Sequence, residues 1–355
     1  MTPLERHIRT RLRLDGPITV ADYIALCLDH PEHGYYTTRD PFGAGGDFIT
    51  APEISQMFGE LIGLSLARAW LDQGGGPFAL AELGPGRGTL MADALRATKA
   101  VPGFHAALSL HLVELSPHLR KIQADALSPH APVFHDDVST LPEGRLFLIA
   151  NEFFDALPVR QFIRQTDGWS ERMVTLRDDR LAFALTEPRA IPDLDPRLAD
   201  TEPGMMVEFP VGGPAVVGHV AGIIARHGGG ALIIDYGDMP SRGDTLQALY
   251  EQAPDDPLAH PGQADLTAHV DFAPLIAAAE AAGASATGPV PQGVFLETLG
   301  ITPRAQALAR QMTGEPLDRH IAAHRRLTHT GEMGHLFKVM GLTRRQAPPL
   351  PGLAP

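Results

Sequence analysis

One stretch decides the fold: Ala81-Glu82-Leu83-Gly84-Pro85-Gly86-Arg87-Gly88-Thr89. It begins within the predicted strand from Phe78 to Leu83 and ends at Thr89, the first residue of a predicted helix to Ala97. The stretch is therefore predicted to be a tight turn between a buried strand and a helix. Open α/β sheets bind nucleotides at this position, and glycines there remove the Cβ atoms that would keep a ligand from the backbone.

Strands and helices alternate after this turn. A strand over Leu108 to Glu114 and a helix over Leu119 to Leu127 come next, and such alternation predicts a parallel sheet. The runs Leu146 to Ala150 and Ala231 to Asp235 are continuously apolar, which suits strands covered by helices on both faces. They are predicted to be the fourth and fifth strands of a Rossmann-like α/β core.

The other regions divide the chain into three parts. Residues 1–52 are predicted to hold two helices, the second opened by a capping box of Thr19 and Asp22, and a Gly-rich aromatic loop from His33 to Thr50. That loop fits either a lid or an ordinary ordered surface loop. Residues 53–342 form the core domain, with a β-rich insertion at about 159–228 and a helical cap at about 238–330. Residues 343–355 are Pro-rich and are predicted to be a disordered tail.

The glycine spacing favours one class of cofactor. Dinucleotide-binding turns follow the pattern G-x-G-x-x-G, whereas Gly84, Gly86 and Gly88 follow G-x-G-x-G. This departure favours a cofactor without a pyrophosphate, such as S-adenosyl-L-methionine. Glu82 is then placed to face its α-ammonium group. A Gly-rich turn alone also serves close packing, so further residues are needed.

Two acidic residues extend this site. Glu114 closes the second strand and is predicted to accept hydrogen bonds from both ribose hydroxyls. Asp137 follows the next apolar element and is predicted to accept from the exocyclic amine of adenine. Considered alone, Glu114 or Asp137 is better explained as a surface carboxylate at a strand end. Because both follow the Gly-rich turn in the order expected of a cofactor-binding fold, together they predict a cofactor site. Glu114 also suits a nicotinamide-dependent oxidoreductase, which is the main alternative.

The stretch Asn151-Glu152-Phe153-Phe154-Asp155-Ala156-Leu157-Pro158 follows the fourth strand directly. In this architecture that strand end faces the transferable methyl group of such a cofactor. The alternative is a helix N-terminus whose acids favour the dipole. An amide, two carboxylates and two aromatic rings exceed what capping needs, so Asn151, Glu152 and Asp155 are predicted to form the methyl-acceptor site.

Composition excludes several other classes. The 29 Lys and Arg against 42 Asp and Glu give a net charge of −13, which would repel nucleic acid unless basic residues were gathered on one face. Cys27 is the only cysteine, which excludes an internal disulfide and Cys-rich metal sites. No stretch has the length and apolarity of a membrane span or a secretory signal, so a cytoplasmic protein is expected.

A metal site is not expected. His320 and His324 share a helix face at metal-binding spacing, but the general-base Glu of the zinc-peptidase pattern is missing between them. The stretch His30-Pro31-Glu32-His33 also fails the inverted form of that pattern.

Taken together, these motifs resemble a known family: the bacterial and mitochondrial methyltransferases related to the arginine methyltransferase that assists assembly of respiratory complex I. The resemblance runs over most of the chain and rests on Gly16-Pro17-Ile18, His33-Gly34-Tyr35-Tyr36, the residues from Gly46 to Glu53, Glu82 to Gly88, Asn151 to Pro158 and Ile234-Asp235-Tyr236-Gly237. It implies a seven-stranded class I core with an N-terminal helical segment and family-specific insertions. It also implies S-adenosyl-L-methionine as cofactor and arginine methylation of a quinone-binding complex I subunit.

The expected chemistry is in-line attack on the methyl group by a guanidine nitrogen. A guanidinium keeps its proton at a pKa of about 13.8, so a carboxylate should orient the group and accept the proton during transfer. Glu152 is the first candidate and Asp155 the second. Tyr35, Tyr36 and Phe48 are predicted to belong to a closing loop. The alternative from another class is a non-catalytic assembly factor that keeps the fold; no oligomeric state is predicted.

Overall fold

The computed structural model describes residues 1–38 and 50–353. Within these ranges the chain forms fourteen α-helices: α1 Pro3–Asp15, α2 Val20–Asp29, α3 Tyr35–Thr38, α4 Ala51–Ile54, α5 Gln56–Asp72, α6 Thr89–Thr98, α7 Phe104–Ala107, α8 Pro117–Ala126, α9 Gly213–His227, α10 Phe272–Ala281, α11 Gln292–Thr298, α12 Ile301–Ala309, α13 Glu315–Thr328 and α14 Met333–Leu336. Short 3₁₀ helices span Ser128–His130, Val138–Thr140 and Pro192–Leu198.

The same described ranges contain sixteen strands: β1 Ile18–Thr19, β2 Phe78–Leu83, β3 Leu108–Val113, β4 Val133–His135, β5 Leu146–Asn151, β6 Val159–Gln165, β7 Gly168–Arg177, β8 Arg180–Leu185, β9 Met206–Pro210, β10 Gly229–Asp238, β11 Gln247–Tyr250, β12 Ala253–Asp255, β13 Asp265–Thr267, β14 Val270–Asp271, β15 Ala284–Pro291 and β16 Phe337–Arg344.

The central sheet has the strand order β15-β16-β10-β5-β2-β3-β4. Strands β4, β3, β2, β5 and β10 are parallel, and β16 runs antiparallel between β10 and β15. The predicted α/β core is therefore confirmed, and seven strands lie on this path. An eighth strand, the two-residue β14, pairs with the end of β10.

Strand β5 shows why these residues form a covered sheet. Phe147 and Ile149 pack on one face, with Phe58 of α5 and Leu90 of α6. Leu148 and its neighbour Ala150 pack on the opposite face with apolar residues of α9 and α10. Because successive side chains of a strand point to opposite faces, a strand covered on both sides must be apolar at every position.

A second, antiparallel sheet contains β1, β7, β6 and β9, with β8 paired to β7. The N-terminal helices pack against it: Leu4, Ile8 and Tyr23 share a buried cluster with Val159 and Val174. Helix α2 begins with the predicted capping box, since Thr19 Oγ1 accepts the N–H of Asp22 at 3.0 Å and an Asp22 carboxylate oxygen accepts the N–H of Thr19 at 3.3 Å.

The predicted helical cap at about 238–330 is wrong in part. Strands β11, β12 and β13 form a separate three-stranded sheet there, and β15 joins the edge of the central sheet. The sequence of β15 hid this role because it contains Pro289 and Pro291 and few large apolar residues. Edge strands tolerate proline because one side of the strand donates to no neighbour.

The predicted disordered tail is also wrong for most of its length. Residues 343 and 344 belong to β16, and Leu350 and Leu353 are buried in the core. Gly341 makes room for them, since a Cβ there would lie 2.3 Å from Leu353 Cδ1. Residues 39–49, with Phe48 and most of the predicted closing loop, lie outside the described residues.

Candidate functional site

The Gly-rich turn joins β2 to α6, as the sequence predicts. Gly84, Gly86 and Gly88 have φ angles of +57°, +54° and +81°, in the left-handed region that favours glycine. A Cβ at Gly84 would lie 3.0 Å from the ring of Phe153, in the turn that follows β5. Glycine at this position therefore lets the ends of β2 and β5 approach closely.

An open cleft lies at this edge of the sheet, with about 390 Å³ of space including open solvent. The predicted residues Glu82, Gly84, Gly86, Asn151 and Glu152 all line it. The segment that leads into α5 also lines the cleft, and no ligand contact was predicted for it. The remaining lining residues, from this segment, the turn and the start of α6, are Thr50, Pro52, Glu53, Pro85, Arg87, Thr89 and Leu90.

Glu53 ties that N-terminal segment to the cofactor turn. Its Oε1 accepts a hydrogen bond from Thr89 Oγ1 at 2.6 Å, and Thr89 is the first residue of α6. The N–H of Ala51, two residues earlier, donates to Glu152 Oε1 at 3.0 Å. The segment thus contacts both the Gly-rich turn and the predicted acceptor site.

Glu82 is a buried acid at the bottom of the cleft. Its Oε2 has no hydrogen-bond partner among the described residues, and burial raises its pKa from 4.5 to about 8. A buried carboxylate with an open acceptor is stabilised by a cation, because burial disfavours its charged form. The residue therefore fits the α-ammonium group expected of the cofactor.

Glu114 lies at the end of β3, next to the turn but outside the residues that line the cleft. Its Oε1 accepts the N–H of Ser116 at 2.8 Å, and its Oε2 accepts from Gln123 Nε2 at 3.1 Å. Burial raises its pKa, against the hydrogen bonds from Ser116 and Gln123. Sequence reasoning missed Gln123, although one signal was present: it lies four residues from both Leu119 and Leu127, on the buried side of α8.

Asp137 is placed differently from the other acids. It is exposed, lies outside the described cleft lining, and caps the 3₁₀ helix that follows it. Its Oδ1 accepts the N–H of Ser139 at 2.8 Å, and hydrogen bonds from Ser139 lower its pKa. Its position just after β4 keeps it at the same sheet edge as Glu114.

Glu152 occupies a strained position just after β5. Its φ is +50°, which is uncommon outside glycine and clusters at functional sites. Burial raises its pKa from 4.5 to about 7, and the charge of Asp155 adds to the shift. Asn151 Nδ2 donates to its Oε1 at 3.2 Å, while Asn151 Oδ1 is buried and has no partner in the part of the chain that is described.

Asp155 is the second buried acid of this turn. Burial raises its pKa from 3.8 to about 6, against a hydrogen bond from Tyr236 that lowers it. Its Oδ1 finds no hydrogen-bond partner within residues 1–38 and 50–353. Asp155 lies outside the residues that line the cleft, and its link to the site is the effect of its charge on Glu152.

Asp235, on β10 three residues before its last residue, holds this turn in place. Its Oδ2 accepts the N–H groups of Phe153, Phe154 and Asp155 at 3.2, 2.9 and 3.3 Å. Burial, and then the charges of Asp155 and Glu152, raise its pKa well above the usual range. The sequence shows this residue only as the last residue of an apolar run, and no role was predicted for it.

His320 and His324 are accounted for by packing between helices. His320 Nε2 lies 3.0 Å from the carbonyl oxygen of Ala305, and His324 Nε2 lies 3.0 Å from Thr302 Oγ1, both on α12. Among the residues described, no group of three or more His, Cys, Asp or Glu side chains is arranged to hold a metal ion. No helix in those ranges is long and apolar enough to cross a membrane.

A family model for S-adenosyl-L-methionine-dependent methyltransferases matches residues 61–290. The chain belongs to this family. It is therefore an enzyme with S-adenosyl-L-methionine as cofactor, and the alternative of a nicotinamide-dependent oxidoreductase is wrong. The match covers β2, the Gly-rich turn and β5, and with them Glu82 and Glu152, two of the acids that line the cleft.

Individual relatives extend the similarity over nearly the whole chain. The methyltransferase is 38% identical to the mitochondrial protein arginine methyltransferase NDUFAF7 of Mus musculus, over 98% of its own length and 85% of that protein. The Drosophila melanogaster homolog is 36% identical over 96% and 84%. A crystal structure from Burkholderia thailandensis, bound to S-adenosyl-homocysteine, is 31% identical with a TM-score of 0.86, covering 99% of this chain and 94% of that one.

Proposed function

We propose that the methyltransferase transfers the methyl group to a guanidine nitrogen of an arginine in a protein substrate. One observation carries the proposal: Glu152 lines the cofactor cleft, and the charge of Asp155, a second carboxylate with a raised pKa, acts on it. A planar cation with several donors suits such a pair, since carboxylates bind guanidinium groups with paired hydrogen bonds. The names of the curated relatives support arginine as the acceptor.

Each residue has a distinct task in this proposal. When bound, S-adenosyl-L-methionine supplies a methyl group activated by the adjacent sulfonium. Glu152 orients the guanidinium and accepts its proton during transfer, and a pKa near 7 suits a group that must take up and release protons at neutral pH. Asp155 holds the second edge of the guanidinium through its open Oδ1. Asn151 fixes Glu152 through its amide.

The remaining acids bind the cofactor. Glu82 pairs with the α-ammonium group, Glu114 accepts from the ribose hydroxyls and Asp137 accepts from the adenine amine. Gly84 and Gly86 let the ligand approach the backbone of the turn.

The protein substrate is proposed to be a quinone-binding subunit of respiratory complex I, as the family resemblance of the sequence implies. The compartment is proposed to be cytoplasmic, since Cys27 is a buried free thiol that suits a reducing compartment. The curated relatives are named as mitochondrial proteins, so the location needs its own measurement.

The test is a lysate from cells lacking this protein, supplied with methyl-tritiated cofactor and either the wild-type enzyme or Glu152→Gln. Label on arginine of a protein, identified by mass spectrometry and absent with Glu152→Gln, is the expected result. Label on another residue type or on a small molecule would overturn the arginine proposal. No label with an enzyme that binds S-adenosyl-homocysteine would favour a non-catalytic assembly factor.

A further inference from the structure

Gln123 is a buried amide between two parts of the cofactor site. Its side chain is 0% exposed, and its Nε2 donates to the carbonyl oxygen of Gly86 at 2.7 Å and to Glu114 Oε2 at 3.1 Å. A carbonyl and a carboxylate can only accept, so the amide nitrogen must face both of them. Helix α8 thereby links the Gly-rich turn to the acid at the end of β3.

We propose that Gln123 is a positioning residue for the cofactor: it fixes the ribose-binding carboxylate of Glu114 relative to the Gly-rich turn and favours its ionised form. The inference rests on the proposed role of Glu114. It goes beyond that role because it assigns cofactor affinity to a residue placed behind the residues that line the cleft.

Two observations favour this role over simple packing. The position lies on the apolar side of α8, between Leu119 and Leu127, where leucine or methionine would fill the same space without a polar group to satisfy. Moreover, Gln123 Oε1 is buried and lacks a partner in the described part of the chain, so the amide is retained at a cost. A requirement of the cofactor site for the hydrogen bonds from Gln123 to Gly86 and Glu114 explains why this unfavourable buried oxygen is tolerated.

The pKa of Glu114 also depends on Gln123. Burial raises the pKa of Glu114, and the hydrogen bond from Gln123 opposes that rise. Arg120 Nε also donates to the Glu114 carbonyl at 2.7 Å, and Arg120 pairs with Asp136. The carbonyl of His135 accepts the Glu114 N–H. Arg120 also lowers the pKa of Glu114, but as a smaller contribution than Gln123.

The test uses calorimetric affinity for S-adenosyl-homocysteine, with the full chain and no turnover. Gln123→Met keeps the shape and removes both donors, and it should weaken binding by about 10-fold at pH 8. The ratio of wild-type to variant affinity should grow between pH 8 and pH 6, because Glu114 without its donor is protonated more readily. A 2′,3′-dideoxyribose analogue should bind both proteins almost equally.

Gln123→Glu should show the opposite pH trend. At pH 8 two adjacent carboxylates repel each other and binding is weak, whereas at pH 6 a shared proton restores one donor to Glu114. If Gln123 only filled space, Gln123→Met and Gln123→Glu, which have nearly the same shape, would not show opposite changes of affinity with pH. If Gln123→Met fails to fold, Gln123→Glu alone still tests the proposal. A ratio of wild-type to Gln123→Glu affinity that stays constant across the pH range would overturn it.

Gln292 provides a matched control. It is also 0% exposed, donates through Nε2 to the Leu327 carbonyl at 2.9 Å and has a buried Oε1 without a partner in the described ranges, but it lies on α11. Gln292→Met should lower the melting temperature without changing affinity. Wild-type affinity and pH dependence in folded Gln123→Met would overturn the inference. Wild-type affinity in Glu114→Ala would instead show that the ribose role itself is wrong.

Discussion

The carboxylate of Asp235 accepts the backbone N–H of Phe154 at 2.9 Å, and the N–H groups of Phe153 and Asp155 converge on the same oxygen. Three donors on one buried oxygen define the path of the chain after β5. They hold Glu152 at its positive φ, and Glu152 is the proposed proton acceptor. A residue of β10 thus sets the geometry of the turn that follows the neighbouring strand β5.

Asp235→Asn should therefore impair methyl transfer without weakening the cofactor. The amide has one acceptor oxygen instead of two, and its NH₂ group would face backbone donors, which should cost about 1–3 kcal/mol of unfolding free energy. Single-turnover transfer should fall strongly, while calorimetric affinity for S-adenosyl-homocysteine stays within about 2-fold of wild type. Unchanged transfer in a folded variant would show that the turn keeps its shape without this carboxylate.

Glu82 gives the free protein a pH-dependent stability. Its pKa is about 8 in the folded protein and 4.5 without burial, so the folded state binds the extra proton between these values. Stability should then fall as pH rises through that window, because the unfolded state binds fewer protons. Glu82→Gln should raise the melting temperature of the free protein and flatten its dependence on pH from 5 to 8. If the melting temperatures of the wild type and Glu82→Gln depended equally on pH, other groups would be responsible for that dependence.

The same residue should make cofactor binding release a proton. An ammonium group paired with Glu82 favours the ionised carboxylate, so affinity for S-adenosyl-homocysteine should increase from pH 6 to pH 8. Calorimetry in two buffers of different ionisation enthalpy measures the released protons directly. Glu82→Gln should bind more weakly and release fewer protons. Equal proton release by both proteins would place the ammonium elsewhere.

Much of this site could be predicted from local patterns. The Gly-rich turn and the acids after β5 stand at the ends of two largely apolar strands. Parallel strands bring their carboxyl ends to one edge of the sheet. Asp235 and Gln123 could not be assigned in the same way. Their roles depend on contacts with backbone atoms of distant segments, the turn after β5 and the carbonyl of Gly86, and sequence spacing does not report such contacts.

The errors in the fold have a related cause. Strand β15 pairs at the sheet edge through its backbone, and its side chains carry little apolar pattern. The C-terminal residues were expected to be disordered because of their prolines, yet Leu350 and Leu353 fill space left by Gly341. A single glycine in β16 and two leucines nine and twelve residues later form no periodic signal.

Gly86→Val should abolish cofactor binding while the protein stays folded. A branched side chain at this lining position occupies ligand space, and its φ of +54° adds backbone strain of about 1–2 kcal/mol. Gly74→Val is the matched control, since Gly74 has a φ of +83° and open space around its Cβ. Both variants should lose similar stability, and only Gly86→Val should lose affinity for S-adenosyl-homocysteine. Equal affinities would refute the placement of the ligand at this turn.

Glu152→Gln should separate chemistry from binding. The amide keeps the shape of the side chain but cannot accept a proton, so transfer should fall about 100-fold or more if the carboxylate is the proton acceptor. Its contact with the Ala51 N–H can persist through the amide oxygen, so the segment before α5 should stay in place. The measurement is single-turnover transfer to an arginine peptide at saturating cofactor, beside a calorimetric titration.

The pH profile sharpens this test. With a pKa of about 7 for Glu152, wild-type kcat/KM for the arginine substrate should rise between pH 6 and pH 8 as the carboxylate ionises. Glu82 ionises in the same range, so the profile is measured at saturating cofactor, where its occupancy no longer changes. Glu152→Gln should lose the rise together with the rate. A variant with wild-type rate would move the base to Asp155, and a normal Asp155→Asn as well would end the carboxylate mechanism, because the turn after β5 offers no third acid.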